Sequence, residues 1–159
     1  MAALWLCSYP HEAFTSDGTG AGFSGTVKSS TATSIVVPEA ASAGYIGGAL
    51  AVLAGQGQGQ LARVTAAAGS QYTFAPALAV PLGPDSVVVV VPYVGKVLMM
   101  GNVIRNSTTI QIFGSGFDTV YAGNTLSHMY SDSVVHPGGL ALMALDYGGY
   151  QPNLHFEVL

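Results

Sequence analysis

Charge is what this chain has least of. Only 8% of its 159 residues are Asp, Glu, Lys or Arg, against roughly 25% in an ordinary soluble domain. Four basic residues in all cannot build the patch that phosphate neutralisation requires, which excludes nucleic acid as a partner and a polybasic membrane anchor. A single cysteine, Cys7, excludes an internal disulfide and a cysteine-based zinc site. No apolar run reaches the ~18 residues of a membrane-spanning helix; the nearest, residues 40–55, is interrupted by Ser42, Gly44, Gly47 and Gly48. Residues 1–7 are apolar but lack a basic n-region, so they do not read as a complete signal peptide.

What the chain does have is apolar content and glycine. Half of it is hydrophobic and 21 residues are Gly. With so little Lys and Glu, this mixture suits strands and tight turns better than helices. Three textures follow one another. Residues 1–21 read as irregular. Residues 22–92 read as a small all-β module of short strands broken by Pro38, Pro76, Pro81 and Pro84. Within it, residues 45–53 suggest one long strand bent at Gly47 and Gly48, residues 87–91 a buried strand, and lone Arg63 an ion pair with Asp85 or Glu39. The run Gly55-Gln56-Gly57-Gln58-Gly59-Gln60 lacks the Lys-Ser/Thr ending and the helix of a phosphate loop, and reads as a hairpin.

Residues 93–159 carry a repeated phrase. Met100-Gly101-Asn102-Val103-Ile104 returns as Ala122-Gly123-Asn124-Thr125-Leu126, 22 residues later. Repeats of this length mark arrays and solenoids. The apolar spacing is not helical, so the array is one of strands: 96–100, 108–113, 118–122, 140–145 and 154–159. Asn102 and Asn124 fall at equivalent points, where stacked amides would form an internal ladder.

These phrases, together with Tyr147-Gly148-Gly149-Tyr150-Gln151-Pro152-Asn153, resemble those of right-handed parallel β-helix repeat proteins, the bacterial secreted or surface proteins of the pectate-lyase-like superfamily. Residues 22–92 resemble a small β-module inserted in such proteins and in phage tail fibres, through Gly25-Thr26-Val27, the Gly-Gln run with Arg63, and Pro84-Asp85-Ser86. The resemblance implies an all-β chain: a partial right-handed parallel β-helix with a small sandwich- or barrel-like module N-terminal to it. It also implies an extracellular or cell-surface location and a polysaccharide partner. The chain reads as a piece of a longer protein, with further coils or subunits expected at its C-terminal end. The lyases of this fold cluster Asp, Arg and Lys, often with calcium. This chain is too poor in charge for a dense cluster, so no lyase motif transfers to it. Calcium is a candidate cofactor, and no metal ligands are assigned.

Asp118, His128, Asp132 and His136 are the candidate catalytic residues, because His beside carboxylate supports acid–base chemistry. Tyr130, Tyr147, Tyr150 and Gln151 are the candidate substrate-binding residues, with Asn153 beside them, since aromatic and amide groups suit a sugar ring. The expected function is polysaccharide binding. Whether processing follows is left open by the sequence, with a lyase, epimerase or glycoside hydrolase as the reactions considered. The alternative is a non-catalytic structural, adhesive or fibre segment.

Overall fold

The computed structural model describes residues 12–17, 20–130, 138–143, 145–146 and 149–159. They are all-β, with a three-residue 3-10 turn at Ala43–Tyr45 and no α-helix among the described residues. Among the described residues no helix is long and apolar enough to cross a membrane. The chain divides into two compact units. Strand β1 (Glu12–Asp17) belongs to the second of them, so this part of the segment expected to be irregular is a strand.

The first unit contains β2 (Phe23–Thr26), β3 (Ser29–Ser30), β4 (Ser34–Val36), β5 (Ala49–Ala54), β6 (Leu61–Ala68), β7 (Gln71–Ala75) and β8 (Val87–Val91). They form one antiparallel sheet in the order β2-β8-β5-β6-β7-β4-β3, curled into a half-barrel rather than closed into a barrel or split into a sandwich. Phe23, Ile35, Leu50, Val52, Val64, Tyr72, Phe74, Val88 and Val90 share one buried core. Alternation explains the choice: β6 turns Ala62 and Val64 inward and leaves Arg63 and Thr65 exposed. Strand β8 lies between β2 and β5, and Val88 to Val91 are all buried, as an unbroken valine run requires. Residues 45–53 do not make one strand. Ser42 caps the 3-10 turn through its side chain, Gly47 has φ +84°, and β5 begins only at Ala49.

Arg63 does not pair with Asp85. It donates to the carbonyl of Gly47, and its guanidinium lies 3.6 Å from the centre of the Tyr93 ring. Asp85 instead accepts from the Gln56 backbone N–H at 3.4 Å. A planar guanidinium is served as well by a carbonyl and an aromatic face as by a carboxylate.

The second unit holds β1 and β9 (Val94–Gly95), β10 (Leu98–Met100), β11 (Val103–Arg105), β12 (Thr109–Phe113), β13 (Gly116–Ala122), β14 (Thr125–Ser127), β15 (Gly139–Met143) and, after β16 (Leu145–Asp146) and β17 (Tyr150–Gln151), β18 (Leu154–Val158). Its sheets run β1-β12-β15, β10-β13-β18 with β9 also on β13, and β11-β14. Every one of these pairings is parallel. Leu98 faces Val120 and Val103 faces Thr125, so the two copies of the repeated phrase lie side by side in register. Gly101 and Gly123 take φ +64° and +58° at the turn between the paired strands, a conformation other residues enter at some cost. Met99, Ile104, Ile110, Ile112, Tyr121, Leu126, Leu140 and Phe156 pack together, and the Tyr121 and Phe156 rings stack with centroids 5.3 Å apart.

Candidate functional site on an exposed column

Parallel register brings together three residues that lie far apart in sequence. Phe117 pairs with Gly95 on one side and with Leu154 on the other. The next residue of each strand is therefore Lys96, Asp118 and His155, in one column. All three have left-handed backbone, with φ of 59°, 49° and 55°. None is glycine, so each holds a conformation that disfavours a side chain by roughly 1–2 kcal/mol. All three are exposed. The kink repeats from strand to strand and turns three polar side chains outward at one corner.

Within this column His155 Nδ1 lies 3.0 Å from Asp118 Oδ1. An ionised carboxylate only accepts, so Nδ1 carries the proton and donates. In the neutral ring Nε2 is then the acceptor, the arrangement of an oriented general base. The two side chains are 51% and 41% exposed, open enough for a solute to reach. His155 was not among the residues singled out from the sequence. Its signal is weak: Leu154-His155 answers Phe117-Asp118, an apolar residue before a polar one, at a spacing different from the repeat.

Of the other sequence candidates, His128 is exposed with φ 54°. It follows β14 as Asn106, with φ 55°, follows β11, so a second polar corner closes the segment that Asp118 opens. Tyr130 is 44% exposed, and its backbone N–H donates to the Ser107 carbonyl at 3.1 Å. Asp132, His136 and Tyr147 lie outside the described residues. Tyr150 and Gln151 belong to the first unit. Tyr150 is exposed, whereas Gln151 is fully buried and so is withdrawn from the sugar-facing surface expected of it. Asn153 accepts from the Gly116 N–H at 2.9 Å and so binds one strand to its neighbour.

The asparagines at the repeat are joined. Asn124 Oδ1 accepts from Asn102 Nδ2 at 2.8 Å and from the Asn102 backbone N–H at 3.0 Å, while Asn124 Nδ2 donates to the Met99 carbonyl at 2.8 Å. In the first unit the Gly-Gln run is tied into the fold by its last glutamine. Gln60 donates to the Gly57 and Val80 carbonyls and accepts from the Val80 N–H, which leaves little capacity for a ligand.

Among the described residues no group of three His, Cys, Asp or Glu is placed to hold a metal ion. Burial pushes the Tyr121 phenol up to about 12. The Tyr45 phenol is also raised, by burial first and then by the neighbouring Tyr72. No family model, no curated protein and no solved structure matches the chain.

Proposed function

We propose that the parallel unit is a stretch of right-handed parallel β-helix from a secreted or surface protein, and that it binds a polysaccharide at the column containing Asp118 and His155. The observation that carries this reading is the exposed Asp118–His155 pair, 3.0 Å apart, with Lys96 next in the same column. Stacked parallel strands repeat one side-chain position at about 4.8 Å intervals, which presents a polymer with a row of contacts rather than a pocket. Tyr130 and His128 extend the polar surface along the same unit. Should chemistry follow binding, His155 Nε2 is the acid–base group and Asp118 the residue that orients it.

A thermal-shift screen against neutral and acidic polysaccharides, with and without calcium, tests the reading. A ligand that binds only the folded state raises the midpoint by mass action. The expected result is a rise with one glycan class in the native chain and none in Asp118→Asn or His155→Ala. Absence of any response in a folded chain would overturn it.

A second reading, a structural or adhesive segment without catalysis, is favoured by a different observation. Leu98, Met100 and Val103 are 64%, 59% and 61% exposed. These residues occupy the outward positions of β10 and β11, and exposed apolar clusters mark contact surfaces.

A further inference from the structure

Three of the four asparagines of the chain have a place in the fold. Asn102 and Asn124 bond to each other, and Asn153 accepts from Gly116 of β13. The fourth, Asn106, is exposed at the left-handed corner after β11, with φ 55°. It opens Asn106-Ser107-Thr108, the one Asn-x-Ser/Thr triplet of the sequence. Such a triplet is the acceptor of an N-linked glycan.

Two observations set this triplet apart from a chance match. The first is that the corner does not call for it. One coil on, where Ser127 pairs with Arg105, the same corner is made by His128 with φ 54°, and Met129 and Tyr130 follow. Left-handed backbone is met there without Asn and without a Ser-Thr pair. The second is Thr108. Its side chain is buried, with 0% exposure, and its Oγ1 has no hydrogen-bond partner among the described residues. A buried hydroxyl without a partner costs stability, and valine would fill the same space without that cost. The folded chain thus gains nothing from the hydroxyl that the acceptor triplet requires.

We infer that Asn106 is an N-glycosylation site, modified during export before β12 packs. The co-substrate is a lipid-pyrophosphate-linked oligosaccharide. Asn106 Nδ2 bonds to the anomeric carbon, the bond from that carbon to the pyrophosphate oxygen breaks, the lipid pyrophosphate leaves, and the amide nitrogen releases one proton. The transferase must read the Thr108 hydroxyl, which the finished fold conceals, so the folded chain is not a substrate. Exposed Asn106 then carries a bulky, solubilising chain outside the core. The inference rests on the secreted or surface location proposed above and is independent of polysaccharide binding.

Peptide mapping by mass spectrometry of the full chain, recovered from the medium or surface of its own cells, tests the inference. The expected result is a glycan on Asn106. Thr108→Ser should keep it, and Asn106→Gln and Thr108→Val should lose it. Produced without a glycan, Thr108→Val should melt no lower than the native chain, a readout that a structural role for the hydroxyl would move. Folded, unmodified chain should stay bare when incubated with transferase and lipid-linked donor, whereas the chain supplied during translation should accept the glycan. A glycan that survives Thr108→Val, a lower melting point in that variant, or modification of the already folded chain would each overturn the proposal. A bare Asn106 on the exported chain overturns this inference alone, whereas a chain found only inside the cell overturns it together with the proposed location.

Discussion

Two buried tyrosines set the two units apart. Tyr72, fully buried in the antiparallel sheet, accepts from the Ser42 backbone N–H at 2.9 Å and donates to the Gly22 carbonyl at 3.4 Å. Tyr121, 3% exposed in the parallel unit, has no hydrogen-bond partner for its hydroxyl among the described residues. Thr108, Thr109, Gln111 and Ser127 of the same unit also hold buried side-chain oxygens without partners among the described residues. The antiparallel sheet curls around a core in which its polar groups are satisfied from within. The parallel unit is held by strands paired side by side, and its polar interior is less well matched. The lesson is that repetition fixes register without ensuring that each repeated position is filled well.

Deleting part of the first core gives the largest effect. Phe74 is 2% exposed and packed in that core. Phe74→Ala should destabilise the antiparallel unit by about 3–5 kcal/mol through lost burial and the cavity left behind. Native-state hydrogen exchange should then show protection falling in β5 to β8 while β12 and β13 keep theirs. Equal loss in both would erase the distinction between the units, because it would mean that they unfold as one.

Next in size is an alkaline effect on the parallel unit. The Tyr121 phenol is raised from 10.0 to about 12, so above pH 10 the unfolded chain releases this proton before the folded chain does. The folded state binds more protons in that window, and stability therefore falls as pH rises from about 10 to about 12. The loss amounts to on the order of 2–3 kcal/mol, from two pKa units at 1.36 kcal/mol each. Urea midpoints followed through this range check it. Tyr121→Phe should flatten its share of the slope and, at neutral pH, stabilise by roughly 1 kcal/mol, because an unpartnered hydroxyl is removed. Tyr72→Phe removes a satisfied hydroxyl and should destabilise instead. If both substitutions acted in the same direction, the contrast between the units would fail.

How far the sequence discloses each unit follows from how its contacts are encoded. Local patterns gave the strands: alternation in β6, the valine run of β8 and the Gly-Asn phrase that places β10 beside β13. All-β architecture was therefore legible, and so was the equivalence of Asn102 and Asn124. Contacts between distant segments were not. Strand β1 pairs with Thr109–Phe113, and nothing local to residues 12–17 announces a partner so far along the chain. His155 stands 37 residues from Asp118, whereas the repeat is 22 residues long, so periodicity could not align them. Gln151 looked like a surface amide because its neighbours Tyr150 and Asn153 are polar or amphipathic, yet it is fully buried. Arg63 looked like half of an ion pair because carboxylates were the obvious partners. Carbonyl and aromatic acceptors leave no mark in a sequence.

A smaller effect separates the two asparagines of the repeat. Asn124 makes three of the bonds described above and Asn102 shares two of them, both ending on Asn124. Asn124→Ala should cost about 1–2 kcal/mol and Asn102→Ala less, since neutral hydrogen bonds contribute ~1 kcal/mol each. Thermal melting of the two variants checks the order. Equal losses would mean that the amide stack adds nothing beyond the turn itself.

The smallest expected change in stability tests the site most directly. Asp118 and His155 are about half exposed, and pairs of that kind contribute on the order of 0–1 kcal/mol. Asp118→Asn keeps the shape and one acceptor oxygen but removes the charge that orients the imidazole. Its melting midpoint should stay close to that of the native chain. A residue that matters only for folding shows its effect in melting, and one that matters for a ligand shows it in binding. If Asp118→Asn melts normally and loses its response to the glycan that stabilises the native chain, the column acts on a ligand. If it melts normally and the response survives, the pair is an ornament of the left-handed corner, and binding must be sought on the apolar face of Leu98, Met100 and Val103. Either result assigns a role to the outward surface of the parallel unit.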